Sequence, residues 1–312
     1  MGRCSAYKGR IMKQALLFPG QGAQYPGMGK DFFDNFSAAK EVFQQADDLL
    51  NMHLSKLMFE GPQELLTETK NSQLAIFVMS LALYAVIGEA NPNTCAGLSL
   101  GEYSALVASK RLSFEEGLTL VRDRGQFMND ACEKTQGTMA VVLGLEEENV
   151  AAAIAGLKDV WIANLNCPGQ VVIAGSKAAL ADAEAPIKEQ GAKRVLPLQV
   201  SGAFHSPFML SAQERLTPKI HAANFNDSVI HLVMNVPGDY VESSDNIRQN
   251  LIDQVVQPVR WESGIRAMES QGIERYIEIG PGKTLCGMNK KIGIAAPSIN
   301  IEKVEDLDAA LA

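Results

Sequence analysis

What the chain lacks excludes several functional classes. Its five cysteines (Cys4, Cys95, Cys132, Cys167, Cys286) are odd in number and form no Cys-x-x-Cys pair. A disulfide framework or a zinc site needs closer, paired spacing, so small buried thiols in a reducing cytoplasm are expected, with no metal. Basic residues are the minority: 28 Lys and Arg against 36 Asp and Glu leave a formal net charge of −8. Nucleic-acid binding needs a concentrated basic face, so no such partner is expected. No apolar run reaches the ~20 residues of a membrane span. The longest, "LAIFVMSLALYAVIG" from Leu74, reads as a buried helix, and no membrane partner is expected. The basic start "MGRCSAYKGRIMK" is not followed by an apolar stretch, so a secretory signal is not supported, and Ala6 breaks the myristoylation pattern. Residues 1–11 read as a disordered N-terminal extension.

What remains is ordinary globular material, 46% hydrophobic and 21% charged, long enough for a large core with an insert. A short strand, Ala15 to Phe18, ends in a Pro-Gly turn. Helices follow at "DNFSAAKEVFQQADDLL" and from Gln73 to Glu89, then a second short strand from Thr94 to Leu98. The rhythm changes near Gly137. There "TMAVVLGL", "EEENVAAAIAGL", "VWIANLN", "QVVIAGS", "KAALADAEAPIKEQG" and "AKRVLPLQV" run strand, helix, strand, strand, helix, strand. That order is the ferredoxin-like split βαβ unit. The expected fold is therefore α/β: a large, discontinuous domain over residues 12–136 and 202–312, with a parallel-sheet core, carrying a βαββαβ subdomain at 137–201.

Within the large domain, Gly97-Leu98-Ser99-Leu100-Gly101 lies between the second strand and the helical "EYSALVAS". Gly-x-Ser-x-Gly alone is a weak signal. Strand, sharp turn and helix around it form the nucleophile elbow of α/β-hydrolase-like folds. The glycines are needed where side chains would collide with neighbouring backbone, and Ser99 falls at a helix N-terminus. There the Leu100 N–H and the helix dipole favour a developing oxyanion. A serine nucleophile needs a base, and only four histidines exist: His53, His205, His221 and His231. Three sit in segments that read as structural. His205 sits in "VSGAFHSPFM", a loop punctuated by Gly, Ser and Pro, where functional groups concentrate.

Six collinear motifs complete the pattern: "LLFPGQGAQYPGMG", "GLSLGEYSALVAS", "VRDRGQFM", "NCPGQVVIAG", "GAFHSPFM" and "IEIGPGKTL". Together they resemble the malonyl-CoA:acyl carrier protein transacylases, from Lys13 to about Lys291, including the insert. The resemblance implies transfer of malonyl from malonyl-CoA to the phosphopantetheine thiol of acyl carrier protein; a monomeric enzyme in the cytoplasm is expected. No metal or redox cofactor would be involved. The product would feed fatty acid biosynthesis or, alternatively, a discrete polyketide pathway. It further implies that Ser99 is acylated, His205 is the general base, and Arg124 holds the malonyl carboxylate. Gln21 and Leu100 would form the oxyanion hole by backbone N–H groups, and a main-chain carbonyl, assigned to Gln254, would orient the histidine. Asn166 should lie near the pocket, and Phe204 should exclude an α-methyl branch.

One position departs from the family, which usually has histidine where this chain has Leu98; a polar group beside the acyl pocket is lost. Arg124 also carries a bottom-up argument. A guanidinium fork matches a carboxylate, whereas a monocarboxylic acyl chain would leave that charge buried and unpaired. The bland alternative is a surface arginine paired with Asp123 or Glu116. Because the family's carrier protein is acidic, Lys193-Arg194 and Lys290-Lys291 are the candidate docking pairs. A serine esterase or thioesterase uses the same elbow and is the alternative enzyme class. It would usually add an acidic residue between nucleophile and histidine. A carrier-binding relative without catalysis is the third reading.

Overall fold

The computed structural model describes residues 12–88 and 92–311; the expected extension at 1–11 lies outside the described residues. Two sheets organise the chain. The first has six strands in the order β11-β10-β1-β2-β7-β8. Its members are β1 (Gln14–Phe18), β2 (Thr94–Gly97), β7 (His231–Met234), β8 (Asp239–Tyr240), β10 (Arg275–Ile279) and β11 (Ser298–Ile301). All pairs are parallel except β7 with β8 at the edge. A parallel sheet is covered on both faces, and β1 shows why its sequence is continuously apolar. Leu16 and Phe18 enter one core cluster, while Ala15 and Leu17, pointing the other way, enter a second.

The second sheet has the order β6-β3-β5-β4-β9. Strands β3 (Gly137–Leu143), β4 (Val160–Cys167), β5 (Gln170–Ser176) and β6 (Arg194–Pro197) alternate with helices Glu147–Ile154 and Lys177–Glu189 in the expected βαββαβ order. Their pairings are antiparallel, as a split βαβ unit requires. The sequence did not reveal β9 (Val259–Arg260), which pairs parallel to β4 and ties this sheet to a segment nearly a hundred residues downstream. Two residues carry no periodicity to read.

The apolar helix runs Thr69–Ile87, starting four residues earlier than its hydrophobic pattern suggests. In its polar first turn Thr69, Asn71 and Ser72 are buried, with Asn71 and Ser72 N–H groups donating to the Glu68 carbonyl. At 19 residues and mean hydropathy 1.4 it is long and apolar enough to cross a membrane, which corrects the argument from length. Burial supports the core reading: 72% of its most apolar window is enclosed by the protein.

Candidate active site

The elbow stands at the carboxyl end of β2, beside the end of β1, where open parallel sheets gather their ligands. Leu98 N–H donates to Phe18 O at 3.0 Å, holding the turn against the neighbouring strand. Both glycines are required by close approach. A Cβ on Gly97 would lie 1.9 Å from the Gly101 carbonyl carbon, and one on Gly101 would lie 2.1 Å from Phe18 O. Ser99 adopts φ 52°, a left-handed conformation that non-glycine residues seldom take, and His205 adopts φ 56°. Such backbone persists only where surroundings over-determine it, and here they do. Ser99 N–H donates to Asn235 Oδ1 at 2.6 Å, and Asn235 Nδ2 donates to Gly97 O at 2.7 Å.

Ser99 Oγ lies 2.7 Å from His205 Nε2, and His205 Nδ1 lies 2.7 Å from the main-chain oxygen of Gln254. A carbonyl only accepts, so Nδ1 carries the proton and Nε2 presents its lone pair to the Ser99 hydroxyl. Burial, aided by the Arg124 charge, pushes the imidazole down to about 4; the Gln254 carbonyl opposes this. The ring is therefore neutral near neutral pH. Once protonated, it is a strong acid.

Arg124 projects from helix Phe114–Thr135 and is 1% exposed. The surface-pair alternative fails on geometry, because Asp123 pairs with Arg122 at 2.9 Å and with Lys219 at 3.7 Å. Arg124 instead donates to Gln73 Oε1 at 2.7 Å, Gln254 Oε1 at 2.9 Å and Ser99 Oγ at 3.1 Å. This corrects one premise of the sequence argument. The guanidinium is not left without partners when no carboxylate is present, because buried amides from two distant helices reach it.

Ser99, His205, Arg124 and Gln73 share a cavity of about 260 Å³ with Gln21, Leu98, Leu100, Asn166 and Phe204 in its lining. The backbone N–H groups of Gln21 and Leu100 meet no acceptor among the described residues. Asn166 is 6% exposed, and its Oδ1 lacks a hydrogen-bond partner among the described residues. The candidate docking pairs lie near one another. Arg194 lies opposite Leu143, which lies opposite Gln170, and Lys291 Nζ donates to Gln170 Oε1 at 3.0 Å. Lys193 N–H donates to Leu143 O at 2.8 Å, and Lys290 is exposed on the Lys291 helix. A larger cavity, about 410 Å³, lies at the opposite end of the parallel strands. Among its polar groups, His231 pairs with Glu242 and Thr94 with Tyr240.

Sequence reading missed three buried residues: Gln73, Glu102 and Asn235. Glu102 does fall between nucleophile and histidine in the chain, as a hydrolase acid would. It does not touch the imidazole; it accepts from Asn235 N–H and, at 2.6 Å, from Gln254 Nε2.

Comparison with known proteins gives the same assignment throughout. A family model described as an acyl transferase domain matches residues 15–294. The malonyl CoA-acyl carrier protein transacylase of Bacillus subtilis (strain 168) is 41% identical over 307 residues, spanning 96% of this chain and 97% of its own. The structure of the Clostridium perfringens malonyl CoA-acyl carrier protein transacylase superposes with a TM-score of 0.91 at 39% identity, covering 96% of each chain. A malonyl-transacylase solved in complex with a type II PKS acyl carrier protein matches with a TM-score of 0.91 at 36% identity, covering 96% of this chain and 99% of its own. With its elbow, histidine and buried arginine in one cleft, the chain belongs to the malonyl-CoA:acyl carrier protein transacylase family.

Proposed function

We propose that the protein moves malonyl from coenzyme A to the phosphopantetheine thiol of acyl carrier protein, supplying fatty acid biosynthesis. The observation that carries this reading is the Gln254–His205–Ser99 hydrogen-bond chain, with both links 2.7 Å, ending beside the Arg124 guanidinium. Ser99 Oγ attacks the thioester carbonyl while its proton passes to His205 Nε2. The carbon–sulfur bond breaks, and the imidazolium returns that proton to the departing thiolate. Malonyl-Ser99 remains, and the carrier thiol repeats the steps in reverse. The Leu100 and Gln21 N–H groups are available to the tetrahedral oxyanion, and Arg124 takes the malonyl carboxylate through its fork.

Transfer is favoured over hydrolysis because no carboxylate among the described residues touches the imidazole and because a buried cation faces the acyl end of the cleft. The carrier protein docks on Lys193, Arg194, Lys290 and Lys291. A monomeric cytoplasmic enzyme without metal or redox cofactor completes the reading. Labelled malonyl-CoA tests it. The label should stay on the protein, then leave quantitatively for the carrier thiol when holo-carrier is added. Release as free malonate at the same rate with or without carrier would make the protein a hydrolase.

A further inference from the structure

We propose that Glu102 is the positioning anion of this site, holding Asn235 with one carboxylate oxygen and Gln254 with the other, so that Ser99, His205 and Arg124 stay in register. The inference rests on the reading of Ser99 as the acylated nucleophile. Glu102 opens the helix that follows the elbow, is 1% exposed, and does not line the cleft. It can act on the reaction only through its neighbours.

Each neighbour is oriented by a group that has no choice. Arg124 can only donate, so Gln254 must turn its amide oxygen toward the guanidinium. That sends the Gln254 amide nitrogen the other way, toward Ser99 O at 2.9 Å and Glu102 Oε2 at 2.6 Å. The main chain of the same residue meets His205 Nδ1. Gln254 therefore joins base and clamp. Asn235 is oriented in the same manner: the Ser99 N–H demands its side-chain oxygen, and the Gly97 carbonyl demands its side-chain nitrogen. The Asn235 main-chain N–H then donates to Glu102 Oε1.

Both carboxylate oxygens thus face N–H donors, and a donor-to-acceptor chain runs from the Arg124 cation through Gln254 to the Glu102 anion. Burial pushes the Glu102 carboxyl up to about 8 against the opposing pull of the Asn235 and Gln254 donors and the Arg124 charge, and two N–H donors facing its two oxygens are satisfied together only by the ionised form. A glutamine at this position would turn an amide nitrogen toward one of the two donors, and one link would have to break.

The test uses Glu102→Gln and Glu102→Asp in the full chain, with rates taken per folded molecule after a thermal melt. Two probes are read: acylation by malonyl-CoA, and sulfonylation of Ser99 by phenylmethylsulfonyl fluoride, which carries no carboxylate. Glu102→Gln should slow both by at least about thirtyfold. Glu102→Asp keeps the anion with a shorter reach and should exceed Glu102→Gln by at least about threefold on both. A residue that only stabilises the fold would lower the melting temperature and leave these rates alone. Glu102→Gln within about threefold of wild type, or Glu102→Asp no better than Glu102→Gln, overturns the proposal. Should Glu102→Gln not fold, Gln254→Met cuts the same link from the other side and keeps the main-chain acceptor of His205. Malonylation should then fall at least about tenfold, and a change under threefold overturns the proposal. Wild-type Ser99 that takes the sulfonyl group but not malonyl would sink the substrate reading and leave the Glu102 comparison readable. Ser99 inert to both probes would end both.

Discussion

The two walls of the cleft hold their polar atoms in different ways. On the large-sheet side, Ser99, His205 and Arg124 line the cleft and are bonded to Gln254 and Asn235, which do not line it and which Glu102 holds in turn. On the small-sheet side, β4 and β5 present Asn164, Asn166 and Val172, and the Asn166 oxygen has no partner among the described residues. The first wall is wired through most of its polar atoms, with Arg124 Nε left without a partner among the described residues; the second keeps an acceptor without one. Preorganised groups act on charge that develops in the transition state, whereas an unsatisfied buried acceptor gains a partner when a ligand binds. Substitutions on the first wall should therefore appear in rate, and those on the second in binding.

The largest effects belong to the wired wall. Ser99→Ala should abolish transfer while the melting temperature changes little, and His205→Ala should slow acylation by several orders of magnitude, both read by single-turnover kinetics. The wild-type acid limb of kcat/KM sharpens the point. Protonating His205 removes the base, and its pKa is pushed down to about 4 by burial, so activity should persist well below the 6.5 of an ordinary imidazole. Arg124→Ala should lower the ratio of malonyl-CoA to acetyl-CoA specificity constants by about a hundredfold, and Arg124→Lys should recover little of it. A ratio within about threefold of wild type would remove Arg124 as the carboxylate clamp. On the other wall, Asn166→Ala should raise KM for malonyl-CoA by roughly three- to tenfold with kcat nearly unchanged. An equal fall in kcat would erase the distinction between the walls. The smallest effect is at the docking pairs: reversing Lys193, Arg194, Lys290 and Lys291 to Glu should raise KM for the carrier protein several-fold at low salt, while malonyl-CoA acylation changes less than about threefold. No rise would move the docking surface elsewhere.

The same contrast separates what the sequence disclosed from what it withheld. The elbow was legible because its strand, glycines and helix are contiguous, and so was the βαββαβ order, because each element carries its own period. The Gln254 carbonyl was reached through the family motif, without any local sign of what it would meet. Glu102 looked like one more helical residue in "GEYSAL", since its partners lie 133 and 152 residues away. Asn235 lies in the turn after a strand and Gln73 lies inside an apolar helix, and no local pattern says that either will face the elbow or Arg124. Contacts made across the fold leave no periodicity along the chain.

The central claim is that Ser99 carries the malonyl group, and peptide mapping by mass spectrometry after incubation with malonyl-CoA tests it most directly. The account predicts one malonyl adduct per chain, on the peptide containing Gly97 to Gly101, with fragment ions placing it on Ser99. An adduct on any other residue, or none on wild-type protein that remains folded, would contradict it.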